Sequence, residues 1–127
     1  HDDRFAIAVA SDQRVGVDVE KTSGRVMKSS SLFMRKNEQT LVRASPMGEI
    51  DAAVRIWSIK EAAAKALDFT IADSWNWVHV MDVGQCKSTI GIDGMDIYSA
   101  IHERVDRHLF TLVYRSASSR IHHAEKP

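Results

Sequence analysis

Two short stretches of this chain set charge into apolar sequence: Val15-Gly16-Val17-Asp18-Val19-Glu20-Lys21 and Trp57-Ser58-Ile59-Lys60-Glu61-Ala62-Ala63-Ala64-Lys65. In the first, valines alternate with Gly16, Asp18 and Glu20. That is the period of a strand, and it predicts both carboxylates on one face with the valines buried on the other. In the second, Glu61 and Lys65 are spaced one helical turn apart on a shared face, with Trp57 one turn earlier. Three carboxylates and a lysine on two rigid elements suit a divalent cation and a phosphate ester. Oxygen-only ligands favour a hard ion such as magnesium, which also binds substrate phosphates. Adjacent carboxylates repel, and a cation offsets that cost. Each piece alone has a plainer reading. Asp-x-Glu is also the wet face of any half-covered strand, and Glu61–Lys65 is also an ordinary surface pair.

The ordered pair of motifs carries more than either part. Gly-Val-Asp-Val-Glu followed about forty residues later by Trp-Ser-x-Lys-Glu-Ala-x-x-Lys resembles the 4′-phosphopantetheinyl transferases, and most of all the second half of the surfactin-synthetase-activating type. His1 falls where that type has a histidine. Phe33 and Glu38, in Phe-Met-Arg-Lys-Asn-Glu-Gln, fall at an intermediate Phe…Glu element. The resemblance runs from His1 to about Arg115.

The resemblance implies a magnesium-dependent transfer of 4′-phosphopantetheine from coenzyme A to a serine of an acyl or peptidyl carrier protein, releasing 3′,5′-ADP. It implies Asp18, Glu20 and Glu61 as metal ligands. Glu61, or a water it orients, takes the serine proton. Lys65 neutralises the pyrophosphate, Lys60 holds a phosphate nearby, and His1 contacts the 3′-phosphate. The implied fold is α+β, with helices packed on a small, mostly antiparallel sheet. Residues 1–115 form the transferase domain and 116–127 a polar tail. The resemblance covers one of two units, so the rest of the coenzyme A site is expected from another copy, in a trimer rather than a dimer, or from a first lobe. A non-catalytic carrier-docking module and a different magnesium-dependent phosphate-ester enzyme are the alternatives.

The elements that must position these residues are legible in the pattern. Arg4–Ser11 reads as a strand that turns through Asp12-Gln13-Arg14 into the Asp18 strand. Val26 to about Val42 reads as helical, in two pieces, and Ala44–Gly48 as a loop. Asp51–Leu67 is the strongest helix, with Ile56, Ile59, Ala63, Ala66 and Leu67 at helical spacing. Strands are predicted at Trp77–Val83, Ser88–Ile92, Ile97–Val105 and Leu109–Tyr114, with a hairpin turn at Asp106-Arg107-His108. Asp93 and Asp96 flank a turn at Gly94. His79, His102 and His108 are expected as solvated strand residues. Trp75 and Trp77 are expected to pack in the core or against a lobe.

Composition sets outer limits. At 127 residues the chain is one domain with room for its own core. Its formal net charge of zero argues against bulk nucleic-acid binding. One cysteine, Cys86, excludes an intrachain disulfide framework and a cysteine-rich zinc site. A cytoplasmic location is expected. No apolar run approaches the roughly 20 residues that span a bilayer, so no membrane partner is expected. The first residue is not Met, as in a domain cut from a longer protein. Charge is uneven within the neutral total. Lys21, Arg25, Lys28, Arg35, Lys36 and Arg43 are opposed between positions 21 and 43 only by Glu38. In this family the carrier is acidic, and Arg25, Met27, Lys28, Phe33 and Arg35 are the residues expected to dock it, steering its approach electrostatically.

Overall fold

The computed structural model describes residues 14–93 and 97–116. Within them the chain runs β1 (Val15–Lys21), a 3₁₀ turn (Gly24–Ser29), α1 (Ser30–Phe33), α2 (Lys36–Ala44), α3 (Glu49–Leu67), α4 (Ile71–Trp77), β2 (Val78–Asp82), β3 (Lys87–Ile92), β4 (Tyr98–Val105) and β5 (His108–Arg115). The five strands form one sheet in the order β1-β5-β4-β3-β2, antiparallel at every pairing. This is the α+β architecture that the sequence leads one to expect. The predicted strand at Arg4–Ser11, its turn at 12 and 13, the turn at 94–96 and the tail beyond 116 lie outside the described residues.

The long helix α3 lies across β1 and β5 and is the centre of the core. Its buried Ile56, Ile59, Ala62, Ala63 and Ala66 meet Val78, Val80, Ile90, Ala100 and Val113 from the sheet. Each large aliphatic side chain buried here contributes about 1.5–3 kcal/mol. Glu49 and Asp51 sit in the first turn of α3, where the helix dipole favours negative charge. Gly48 precedes the helix at φ 98°, a conformation natural to glycine. Asp68 ends the helix in a left-handed conformation, with the Phe69 N–H bonded to Ala64 O.

Three expectations change. The face assignment in β1 changes: Gly16 and Asp18 are buried beneath α3, while on the opposite face Val19 is buried and Val15 and Val17 are half-buried. Alternation fixes that the two sets oppose one another, not which set the helix covers. The short helix α4 ends at Trp77, so β2 begins one residue later than predicted. Its Thr70 cap, accepting from Asp73 N, is hidden in sequence by strand-forming aromatic neighbours. Finally, His102 and His108 are buried rather than solvated, at 4% and 1% exposure. Both ring nitrogens of His102 have partners, Ser88 Oγ at 2.8 Å and Thr111 Oγ1 at 2.9 Å. Those partners come from other strands, which a single-strand pattern cannot reveal. His79 is closer to expectation: partly exposed, with Nε2 2.7 Å from Asp93.

Candidate functional site

The site begins with a glycine. A Cβ placed on Gly16 would lie 1.8 Å from Ala62 O, so only a glycine lets α3 settle this close to β1. At that spacing Ser58, Glu61 and Lys65, one stripe of α3, all face the next inward residue of β1, Asp18. Ser58 Oγ donates to Asp18 Oδ2 at 2.9 Å. Lys65 Nζ donates to Asp18 Oδ1 and to Val17 O, each at 3.2 Å. Glu20 is the next inward position along β1. Oxygens of Asp18, Glu20 and Glu61 lie within 4.8 Å of one another. The strand motif and the helix motif therefore converge on one point.

The electrostatics of this point are strained. Burial, and then Asp18, push the Glu20 carboxyl up to about 8, while a hydrogen bond from Trp57 pulls it back. Burial and Asp18 also raise Glu61, against the opposing pull of Lys65. Three carboxylates this close require a proton or a cation among them. The donor set has oxygen only, with neither sulfur nor imidazole, and suits a hard divalent ion that keeps waters and phosphate oxygens in its remaining positions. The residues present fit magnesium.

Lys60 behaves differently from the expectation that it holds a phosphate. Its ammonium is wholly buried and donates to Phe33 O at 2.5 Å, Glu38 Oε1 at 2.8 Å and Trp75 O at 3.3 Å. All three N–H groups are used inside the protein. Burial pulls its pKa down and Glu38 holds it up. Glu38 also accepts from Arg35 N at 2.8 Å and Val80 N at 2.7 Å, so one carboxylate ties together the start of α2, the middle of α3 and the strand β2. The intermediate Phe…Glu element is thus a structural node.

Phe33 is likewise removed from the expected docking surface. It is 1% exposed and packs edge-on against Trp57 at 5.1 Å. Trp75 lies tilted against Trp57 at 6.1 Å and packs on the core as expected, whereas Trp77 meets Phe69 edge-on at 5.0 Å but is 41% exposed. Arg25, Lys28 and Arg35 are exposed and Met27 is half-buried. With Glu38 internal, the surface of this stretch is more basic than its sequence. Met27 also lines a groove of about 630 Å³ with Met47, Gly48, Glu49, Ile50 and Asp51. His1 lies outside the described residues.

Sequence reasoning misses Ser58 and Gly16 as parts of the site. A signal exists for both. Gly16 interrupts a strand of valines, which marks close backbone approach. Ser58 lies one turn before Glu61 on the same face.

A helix laid on an antiparallel sheet closes a three-carboxylate cluster beside a lysine, an oxygen donor set that could hold a divalent cation. The chain belongs to the 4′-phosphopantetheinyl transferase superfamily, whose family model matches residues 14–115. No curated protein matches it.

Proposed function

We propose that this chain transfers 4′-phosphopantetheine from coenzyme A to a serine hydroxyl of an acyl or peptidyl carrier protein, releasing 3′,5′-ADP, as a holo-[acyl-carrier-protein] synthase. The observation that carries this reading is the convergence of Asp18, Glu20 and Glu61 within 4.8 Å in a chain of this family. Asp18, Glu20 and Glu61 would hold magnesium. When bound, the ion supplies charge neutralisation at the pyrophosphate and helps set an in-line approach. Glu61 accepts the proton of the attacking serine, directly or through a water it orients. Lys65, with its side chain half exposed, neutralises charge on the departing 3′,5′-ADP.

Two features support the partners. Arg25, Lys28 and Arg35 form an exposed basic stretch suited to an acidic carrier, with Met27 as an apolar contact. The sheet face away from α3 carries a cross-strand row of Val17, Leu112 and Ile101, with Ile101 44% exposed. That apolar face supports self-association, which would bring a second copy to complete the coenzyme A site.

The test is to incubate the chain with coenzyme A, magnesium and an apo-carrier, then weigh the carrier. The carrier should gain one phosphopantetheine, with 3′,5′-ADP appearing only when the carrier serine is present. Release of 3′,5′-ADP without a carrier would identify a phosphodiesterase instead. Carrier binding without transfer by the assembled protein would identify a docking module.

A further inference from the structure

We infer that Lys65 and a divalent cation compete for Asp18, Lys65 being a place-holder that the arriving cation releases toward the substrate's phosphates. This rests on the reading of Asp18, Glu20 and Glu61 as a metal site. Asp18 is 1% exposed and each of its oxygens already has a partner on α3. Oδ2 is held by Ser58 and Oδ1 by Lys65. The two partners differ in their freedom to leave. Ser58 is fully buried on a short side chain, so its hydroxyl has no path to solvent.

Lys65 has an exit. Its side chain is 49% exposed, and its 3.2 Å contact is longer than the 2.7–2.9 Å usual between ammonium and carboxylate. Its other acceptor is a backbone carbonyl, Val17 O. A divalent ion among the three carboxylates brings a second positive charge beside the ammonium, and like charges at that range repel. Ser58 keeps Asp18 aimed while Lys65 yields. The flexible four-carbon arm of Lys65 then carries its charge toward solvent, where phosphates arrive. Cation binding and the presentation of a phosphate-neutralising lysine become one event.

The experiment measures Mn²⁺ binding to the whole chain by calorimetry for the wild type, Lys65→Gln and Lys65→Arg. It adds the ¹³Cε and ¹⁵Nζ signals of Lys65 in the wild type during a Mg²⁺ titration. Competition predicts that Lys65→Gln binds Mn²⁺ about fivefold tighter, the size of a released exposed pair. Lys65→Arg should bind no tighter than wild type, because its guanidinium can still grip the carboxylate. The Lys65 signals should move toward those of an unpaired lysine as Mg²⁺ saturates. Equal or weaker Mn²⁺ binding by Lys65→Gln would overturn the inference, as would static Lys65 signals in a wild type that binds the ion. The wild-type titration keeps the test decisive even if the variants fold poorly. A wild type that binds no Mn²⁺ overturns both this inference and the metal-site reading. Intact competition with no carrier modification overturns the transferase reading alone.

Discussion

Lys60 and Lys65 stand on one face-to-face pairing of helix and sheet, each beside a carboxylate, yet their surroundings are opposite. The Lys60–Glu38 pair is 2.8 Å long with both side chains at 0% exposure. The Lys65–Asp18 pair is 3.2 Å long with the lysine 49% exposed. Glu38 has three donors around it, two backbone N–H groups and the Lys60 ammonium. Asp18 shares its place with Glu20 and Glu61. A buried pair with every hydrogen bond satisfied locks elements in place. A carboxylate crowded by two others and paired with a half-exposed lysine has a partner that solvent can replace. The lesson is that charge type and spacing alone do not separate a brace from a site; saturation of the hydrogen bonds does.

The sharpest way to break this comparison is to neutralise one member of each pair or cluster. Glu61→Gln should lower carrier modification by at least about a thousandfold, roughly 4 kcal/mol of barrier, with little change in the urea unfolding midpoint. Lys60→Met should do the reverse. It strands Glu38 as a buried charge and should cost about 3–5 kcal/mol of stability, while the folded fraction keeps its transfer rate. A Lys60→Met protein of normal stability that cannot transfer would return Lys60 to the phosphate role that the resemblance implies.

Gly16→Ala tests the contact that builds the site. The added methyl meets Ala62 O, which a backbone cannot yield cheaply, so stability should fall by about 1–3 kcal/mol. Activity should fall as well, because lifting α3 separates Glu61 from Asp18. Unchanged stability by urea titration would mean that the helix tolerates a wider spacing.

The smallest effect concerns His102, which uses burial as Lys60 does. Burial, and then Arg55, lower it from 6.5 to about 3. Between those values the unfolded chain takes up a proton that the folded chain refuses. The stability this confers is complete above pH 6.5 and is lost as pH falls toward 3, with a slope of up to about 1.4 kcal/mol per pH unit. Because the raised Glu20 carboxyl gains stability as pH falls below about 8, the test is a comparison: between pH 7 and 5 the urea midpoint of His102→Gln should rise relative to that of the wild type.

Much of the site was legible because its chemistry is local. Asp18 and Glu20 share a strand face, Glu61 and Lys65 share a helix face, and the order of the motifs names the family. The boundaries of β1 and α3 follow from period and composition. What escaped depends on contacts between distant segments. Lys60 and Glu61 are neighbours in sequence, but helix rotation sends one inward to Glu38 and the other to Asp18. Phe33 looks like an apolar docking residue until Trp57 and Trp75 are seen to enclose it. The buried faces of Asp18 and His102 were missed for the same reason: alternation gives opposition, whereas covering by α3 decides burial.

The central claim is that the exposed-lysine side of α3 is a divalent-cation site and the buried-lysine side is a brace. Anomalous scattering from crystals of the chain grown with Mn²⁺ tests it most directly. The account predicts a peak bridged by Asp18, Glu20 and Glu61, with Lys65 withdrawn from Asp18 and Lys60 still bound to Glu38. A protein that binds Mn²⁺ in solution but shows its peak away from these three carboxylates would contradict it.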